Sequence, residues 1–200
     1  MSNFFKETDI DTSQAEAIVT ETLKNCDDGE LYLENHKSES IVLDDNKIKS
    51  STYNSDQGYG FRAVTGEVVA YSHSNDISKE SLRKSSDNLK DTLKSKKGTY
   101  NHEIPKTNSK YYENINPIES KTFDSKIDLL KSVNNYLRSK GSIVNQVTAN
   151  FLGEHKSIEI IRSDNQVLKD DRPLVRFNVS VVLEKDGKKE TGVYGVGGRQ

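Results

Sequence analysis

The sequence predicts an α+β protein, built as two successive units of helix plus antiparallel sheet and ending mid-sheet. Three observations carry this prediction. Apolar residues recur at helical intervals in three stretches, and they alternate with polar neighbours in most of the stretches between. A polar segment with two of the three prolines, residues 98–121, divides one set from the next. The predicted order is helix, strands, helix, linker, helix, strands.

Each element has a local reason. A first helix is predicted over residues 13–25, where Ser13 and Glu16 have capping-box spacing and Ala15, Val19, Thr22, Leu23 and Cys26 share a face. Cys26 reads there as a small buried filler. From residue 29 to 74 the period becomes two: Leu31 and Leu33 alternate, then Ile41-Val42-Leu43 forms a short run. Asp44-Asp45-Asn46 reads as a turn into a polar strand over residues 47–53. Residues 58–64 and 67–72 flank Thr65-Gly66 as a hairpin. Four or five strands are thus expected after the first helix. Ser78 caps a second helix to about residue 96, with Leu82, Ser86, Leu89 and Leu93 as its apolar stripe. Its lysines read as a solvated face.

In the linker, Tyr100, Tyr111 and Tyr112 are expected to pin the chain to a neighbouring surface. A third helix follows over residues 124–140, with Ile127, Leu130, Val133 and Leu137 on its apolar face and Gly141 at its C-cap. Strands are predicted over residues 143–152, 157–162 and 174–183, with Ser163-Asp164-Asn165 as a turn. Lys185-Asp186-Gly187-Lys188 is a hairpin turn before a returning strand over residues 190–196. The expected domains are an N-terminal helix (1–28), a first α+β domain (29–97), a linker (98–121) and the start of a second domain (122–200).

Composition excludes whole classes of function. Apolar residues make up 32% of the 200, and the 12 glycines leave the total short of the roughly 45–50% usual for soluble chains, so the core is lean. Net charge is −2 from 29 basic and 31 acidic residues, which argues against nucleic acid or an anionic membrane as partner. A single cysteine forms no internal disulfide and suits a reducing compartment. With no apolar run long enough to span a bilayer and no signal-peptide pattern, the chain is expected to be cytoplasmic.

No catalytic or metal-binding set is readable. His36, His73, His102 and His155 are isolated, and Pro105 breaks any helix beginning at His102-Glu103, so no pair has zinc-site spacing. There is no Gly-x-Ser-x-Gly elbow. Asp27-Asp28, Asp44-Asp45 and Asp170-Asp171 read as turn formers. The glycines from Gly192 to Gly198 lack the following helix that a phosphate cradle needs. Close backbone approach in a sheet is the reading they support.

Four stretches carry a resemblance. They are Asp56-Gln57-Gly58-Tyr59-Gly60-Phe61-Arg62-Ala63-Val64-Thr65-Gly66-Glu67 with Ala70-Tyr71-Ser72, then Val147-Thr148-Ala149, then Asp171-Arg172-Pro173-Leu174-Val175-Arg176-Phe177-Asn178-Val179-Ser180-Val181, and finally Gly195-Val196-Gly197-Gly198-Arg199. In order and spacing they resemble the N-terminal part of the TldD/PmbA (TldD/TldE) metallopeptidases, in the TldD branch. The resemblance implies a cytoplasmic zinc peptidase that cleaves unfolded or small peptides together with a TldE/PmbA-like subunit. It also implies zinc held by a helical His-Glu-x-x-x-His motif and a distant cysteine, with the glutamate activating water. Some such proteins have been named modulators of DNA gyrase.

That metal motif belongs after the Gly-Gly-Arg segment, so no catalytic and no metal residue is carried over to this chain. The expectation is a truncated or split fragment, inactive alone, with zinc only in the complete family member. Its peptide-cleft candidates are Arg172, Arg176, Gly195, Gly197 and Gly198, because an edge strand can pair with an extended backbone and glycine permits close approach. The alternative is a free-standing, non-catalytic module that binds a peptide or a TldD/PmbA-like subunit.

Overall fold

The computed structural model describes residues 4–6, 8–94, 97–99, 113–162 and 166–199. Most of the expected linker, with Tyr100, His102, Pro105, Tyr111 and Tyr112, lies outside the described residues, as does the Ser163-Asp164-Asn165 turn. Among the described residues the fold is α+β. Its helices are α1 (Thr12–Leu23), α2 (Lys79–Leu93) and α3 (Phe123–Arg138). Its strands are β1 (Asp28–Asp44), β2 (Lys47–Thr65), β3 (Val68–Ser74), β4 (Val144–Arg162), β5 (Val167–Lys185) and β6 (Lys188–Gly198). They form one sheet in the order β3-β2-β1-β4-β5-β6. The β2–β3 and β5–β6 pairs are antiparallel. So is β1–β4, because Asp28 meets Arg162 while Asp45 meets Val147.

The strands are fewer and longer than expected: three precede α2, and β2, β4 and β5 each run for 19 residues. Polar stretches that read as breaks continue as strand because lateral bonds hold their side chains. Lys37 binds Glu119, Ser40 binds Asn150 and Asn35 binds Gln57. Asp170 and Asp171 lie within β5, not in a turn, and Asp171 accepts the Ser157 hydroxyl at 2.6 Å. The β2–β3 loop is Gly66-Glu67, one residue later than predicted, since Thr65 pairs with Val68. At the β5–β6 turn, Asp186 and Gly187 have φ of 51° and 75°, the double left-handed geometry that an Asp-Gly hairpin favours.

The chain divides into two compact units, each assembled from three separate stretches. Unit 1 takes Met1–Asn35, Asp56–Ser109 and Ser157–Asp171; unit 2 takes His36–Ser55, Lys110–Lys156 and Arg172–Gln200.

In unit 1, α1 starts two residues before the predicted capping box. Asp11 accepts the Gln14 N–H at 2.8 Å, and the Gln14 side chain accepts the Asp11 N–H at 3.1 Å. Ala15, Val19 and Leu23 of α1 and Leu82, Leu89 and Leu93 of α2 bury Leu31, Leu33, Phe61, Ala63 and Ile161 of the sheet. Cys26 is buried in the same cluster. Hydroxyls tie these elements together. Tyr59 Oη lies 2.8 Å from both Ser81 Oγ and Ser85 Oγ, and Thr22 Oγ1 lies 2.6 Å from Ser86 Oγ. On the polar face, Arg62 holds Asp28 and Glu30 at 2.6–2.8 Å while Arg162 holds Asp28 at 2.7 Å. Burial alone would raise the Asp28 carboxyl, but the two arginines outweigh it and hold it below its ordinary range.

Asp27 links three segments of unit 1. Its carboxylate accepts the Gly66 N–H at 2.6 Å and the Thr99 N–H at 2.8 Å, and these bonds hold its pKa down. A carboxyl depressed in the folded state stabilises above its unfolded pKa of about 3.9, and that stability is lost as pH falls further. Asp27→Asn is therefore expected to lower the thermal midpoint at neutral pH by a few degrees. The gap from wild type should shrink below about pH 3.5. A gap unchanged down to pH 2.5 would remove the Asp27 carboxylate as its source.

Unit 2 is simpler. Helix α3 starts at its Thr122 cap and covers Ile41, Leu43, Ala149 and Phe151 with Leu130, while Val175, Phe177 and Val179 of β5 pack alongside. The deepest positions of α3 are not the predicted apolar ones. Besides Leu130 they are Lys126 and Asn134, 5% and 0% exposed, whereas Ile127, Val133 and Leu137 are half-buried. Lys126 Nζ donates to Glu39 Oε2 at 2.5 Å and to the Ile118 carbonyl at 2.6 Å, and it lies 5.5 Å from the Phe151 ring centre.

Candidate functional site

All five peptide-cleft candidates belong to unit 2, and register decides which of them meet. Val175 pairs with Gly198, Arg176 with Gly197 and Asn178 with Gly195. Four candidates thus gather at one end of the β5–β6 hairpin. Arg172 does not join them, because the paired stretch stops at Val175. Arg176 is exposed and donates its Nε–H to Asn178 Oδ1 at 3.0 Å, which holds the guanidinium along the strand.

The glycines differ in what they permit. A Cβ on Gly197 would stand 2.5 Å from the Val175 carbonyl oxygen, a backbone atom that cannot swing aside. At Gly195 it would stand 2.6 Å from Asn178 Oδ1. Gly197 therefore holds β6 close against β5. Gly198 and Gly192 meet nothing within 4 Å. Among the described residues β5 is the only neighbour of β6, whose outer backbone groups are left available to another strand.

Beside this edge lies an apolar groove of about 440 Å³ that the sequence reading missed. Val133, Tyr136 and Leu137 of α3 form one wall, and Val179 and Val181 of β5 with Gly192, Val193 and Tyr194 of β6 form the other. Strand alternation places Val179, Val181 and their partners Tyr194 and Gly192 on the α3 side of the sheet. The one sequence signal was the Val133 and Leu137 spacing, which read as core.

No group of three or more His, Cys, Asp or Glu among the described residues could hold a metal ion. His36 lies 3.8 Å from Glu154, His73 stacks on Tyr71, and His155 Nε2 is 2.9 Å from Asn114 Oδ1. The Cys26 thiol is buried, its pKa pushed up by desolvation, and it donates to the Thr22 carbonyl at 3.8 Å. These donors do not fit a zinc site.

The sequence itself is similar to known proteins over the same elements. It matches PmbA/TldA metallopeptidase domain 1 over residues 29–94 and the PmbA/TldA metallopeptidase central domain over residues 116–200. The chain belongs to the PmbA/TldD metallopeptidase family. The first PmbA/TldD match takes in β1 to α2, and the second takes in α3 to β6. Among curated relatives, the Metalloprotease TldD homolog of Buchnera aphidicola is 35% identical over 177 residues, covering 88% of this chain and 37% of that protein. The Metalloprotease TldD homolog of Haemophilus influenzae is 34% identical over 182 residues, again 88% and 37%. The chain thus spans little more than a third of these relatives.

Solved structures share the fold. A putative modulator of DNA gyrase from Bacteroides thetaiotaomicron superposes with a TM-score of 0.71 at 14% identity, over 94% of this chain and 45% of that one. TldE from Thermococcus kodakarensis gives 0.65 at 12%, over 94% and 43%. Among the described residues, no PmbA/TldD helix here is long and apolar enough to cross a membrane.

Proposed function

We propose that this chain supplies the N-terminal, peptide-facing part of a TldD-type zinc metallopeptidase that cleaves unfolded or small peptides in the cytoplasm beside a TldE/PmbA-type subunit. The observation that carries the proposal is the succession of two PmbA/TldD domains in a chain about 35% identical to TldD homologs over 88% of its length. Zinc and the water-activating residues are assigned to the part of such proteins that this chain does not match, so no step of hydrolysis is given to its residues. Its contribution is to hold an extended peptide on the β5–β6 edge, at Arg176, Gly195, Gly197 and Gly198, with Arg172 farther along β5. Main-chain pairing to a sheet edge accepts many sequences, as a peptidase of unfolded chains requires.

The test joins this chain to the remaining length of the Haemophilus influenzae homolog and follows cleavage of a denatured protein. The joined protein should hydrolyse it with zinc and lose activity to a chelator, while the 200-residue chain alone should not. In the joined protein, Gly197→Val should lower turnover between about tenfold and a hundredfold, as for a displaced positioning element. A folded but inactive joined protein would overturn the peptidase reading. Unchanged turnover with Gly197→Val would overturn the edge.

A further inference from the structure

The groove between α3 and the β5–β6 hairpin calls for a cover. Tyr136, Tyr194 and Val196 are 54–71% exposed along its walls and beside it, a concentration of large apolar groups that isolated surface residues do not make. Gly192 opens the groove: it stands opposite Val181 on the α3 side, and a Cβ there would meet nothing within 4 Å. A side chain can therefore start from this position without a clash at its first atom, and the space above it is open.

We propose that this groove is the docking surface for the catalytic part of a PmbA/TldD protein, which lays an apolar segment across Gly192 between α3 and β6. This rests on the peptidase reading given above. Relative length selects the occupant. TldD homologs carry nearly two thirds of their length outside the region this chain matches. In such proteins that remaining length belongs to the same polypeptide as the groove, which gives it a high effective concentration there. A second copy of this chain or a free peptide would have to arrive from bulk solution. The chemistry asked of the segment is apolar side chains of modest size, since about 440 Å³ holds a few side chains and not a whole helix.

The experiment uses Gly192→Cys as a reporter and Cys26, which is buried, as the internal control for folding. Labelling by a maleimide is followed by mass spectrometry in this chain and in the chain joined to the rest of the Haemophilus influenzae homolog. The expected result is labelling of the introduced thiol at least about tenfold slower in the joined protein, with Cys26 unreactive in both. Equal labelling would overturn the proposal. Protection in the 200-residue chain that grows with its concentration would assign the groove to a second copy. Protection of the joined protein only when a denatured substrate is added would assign it to a peptide. If Cys26 labels in the joined protein, the full-length homolog with cysteine at the position aligned to Gly192 gives the same comparison. The readout is independent of hydrolysis, so an inactive joined protein with a protected thiol would fail the peptidase reading and keep the docking surface.

Discussion

Lys126→Met is expected to destabilise the protein by about 3–5 kcal/mol, the usual cost of leaving one member of a buried ion pair alone. Lys126 and Glu39 are 5% and 8% exposed, and Nζ also satisfies the Ile118 carbonyl, so methionine would take the partner from two oxygens in a largely buried site. Methionine keeps most of the apolar stem while removing the ammonium over the Phe151 ring, so the change is chiefly one of charge. Adding Glu39→Leu should recover most of the loss, because a buried pair exchanged for apolar residues is often neutral or stabilising. Urea unfolding of the wild type, both single variants and the double variant closes the cycle. A Lys126→Met variant within about 0.5 kcal/mol of wild type would show that the pair is hydrated in solution.

The second large effect is expected at Phe61, which has no exposed surface in the core of unit 1. Phe61→Ala should cost about 3–5 kcal/mol from lost burial plus the cavity left among neighbours held by two helices and the sheet. In a chain whose core is lean, that is a large share of the roughly 5–15 kcal/mol typical of a folded domain. Phe61→Leu leaves a smaller void and should stay folded, so it serves where the alanine variant does not express. Equal urea midpoints for Phe61→Leu and wild type would mean the site relaxes around the change.

Phe61 also shows what the family motif encodes. In the stretch from Asp56 to Glu67, Tyr59, Phe61 and Ala63 are core residues, Arg62 anchors an ion cluster, and Gly60 leaves room for the Tyr71 side chain. The segment that carries the family resemblance therefore specifies packing and an ion cluster. Elements with local signals were legible. The Ser78 cap and the Leu82, Ser86, Leu89 and Leu93 stripe define α2, and Asp186-Gly187 defines a hairpin. Strand length was not legible, because residues 47–57 of β2 are exposed on both faces and leave no alternation to read. Nor was the buried side of α3, since a periodicity search ranks positions by apolarity and passes over Lys126 and Asn134. At the candidate site the glycines and Arg176 could be named from sequence, but only the register with β5 shows that Arg172 stands apart. The groove needed α3 and β6 placed side by side, which no short window of sequence contains.

The three-stretch assembly of unit 1 has a consequence for how the protein is made. Its ion cluster joins Asp28 to Arg162, residues 134 apart, and its last stretch ends at Asp171. A ribosome adding roughly 5–20 residues per second therefore has to synthesise most of the chain before the N-terminal helix and first strand acquire their last partners. Until then the nascent segment carries Leu31, Leu33 and Phe61 without Ile161, their core neighbour from β4. Long-range pairing of this kind folds slowly and leaves strand edges uncovered in the interval. The order of synthesis thus sets the order of closure, with the first strand made among the last to have its core completed.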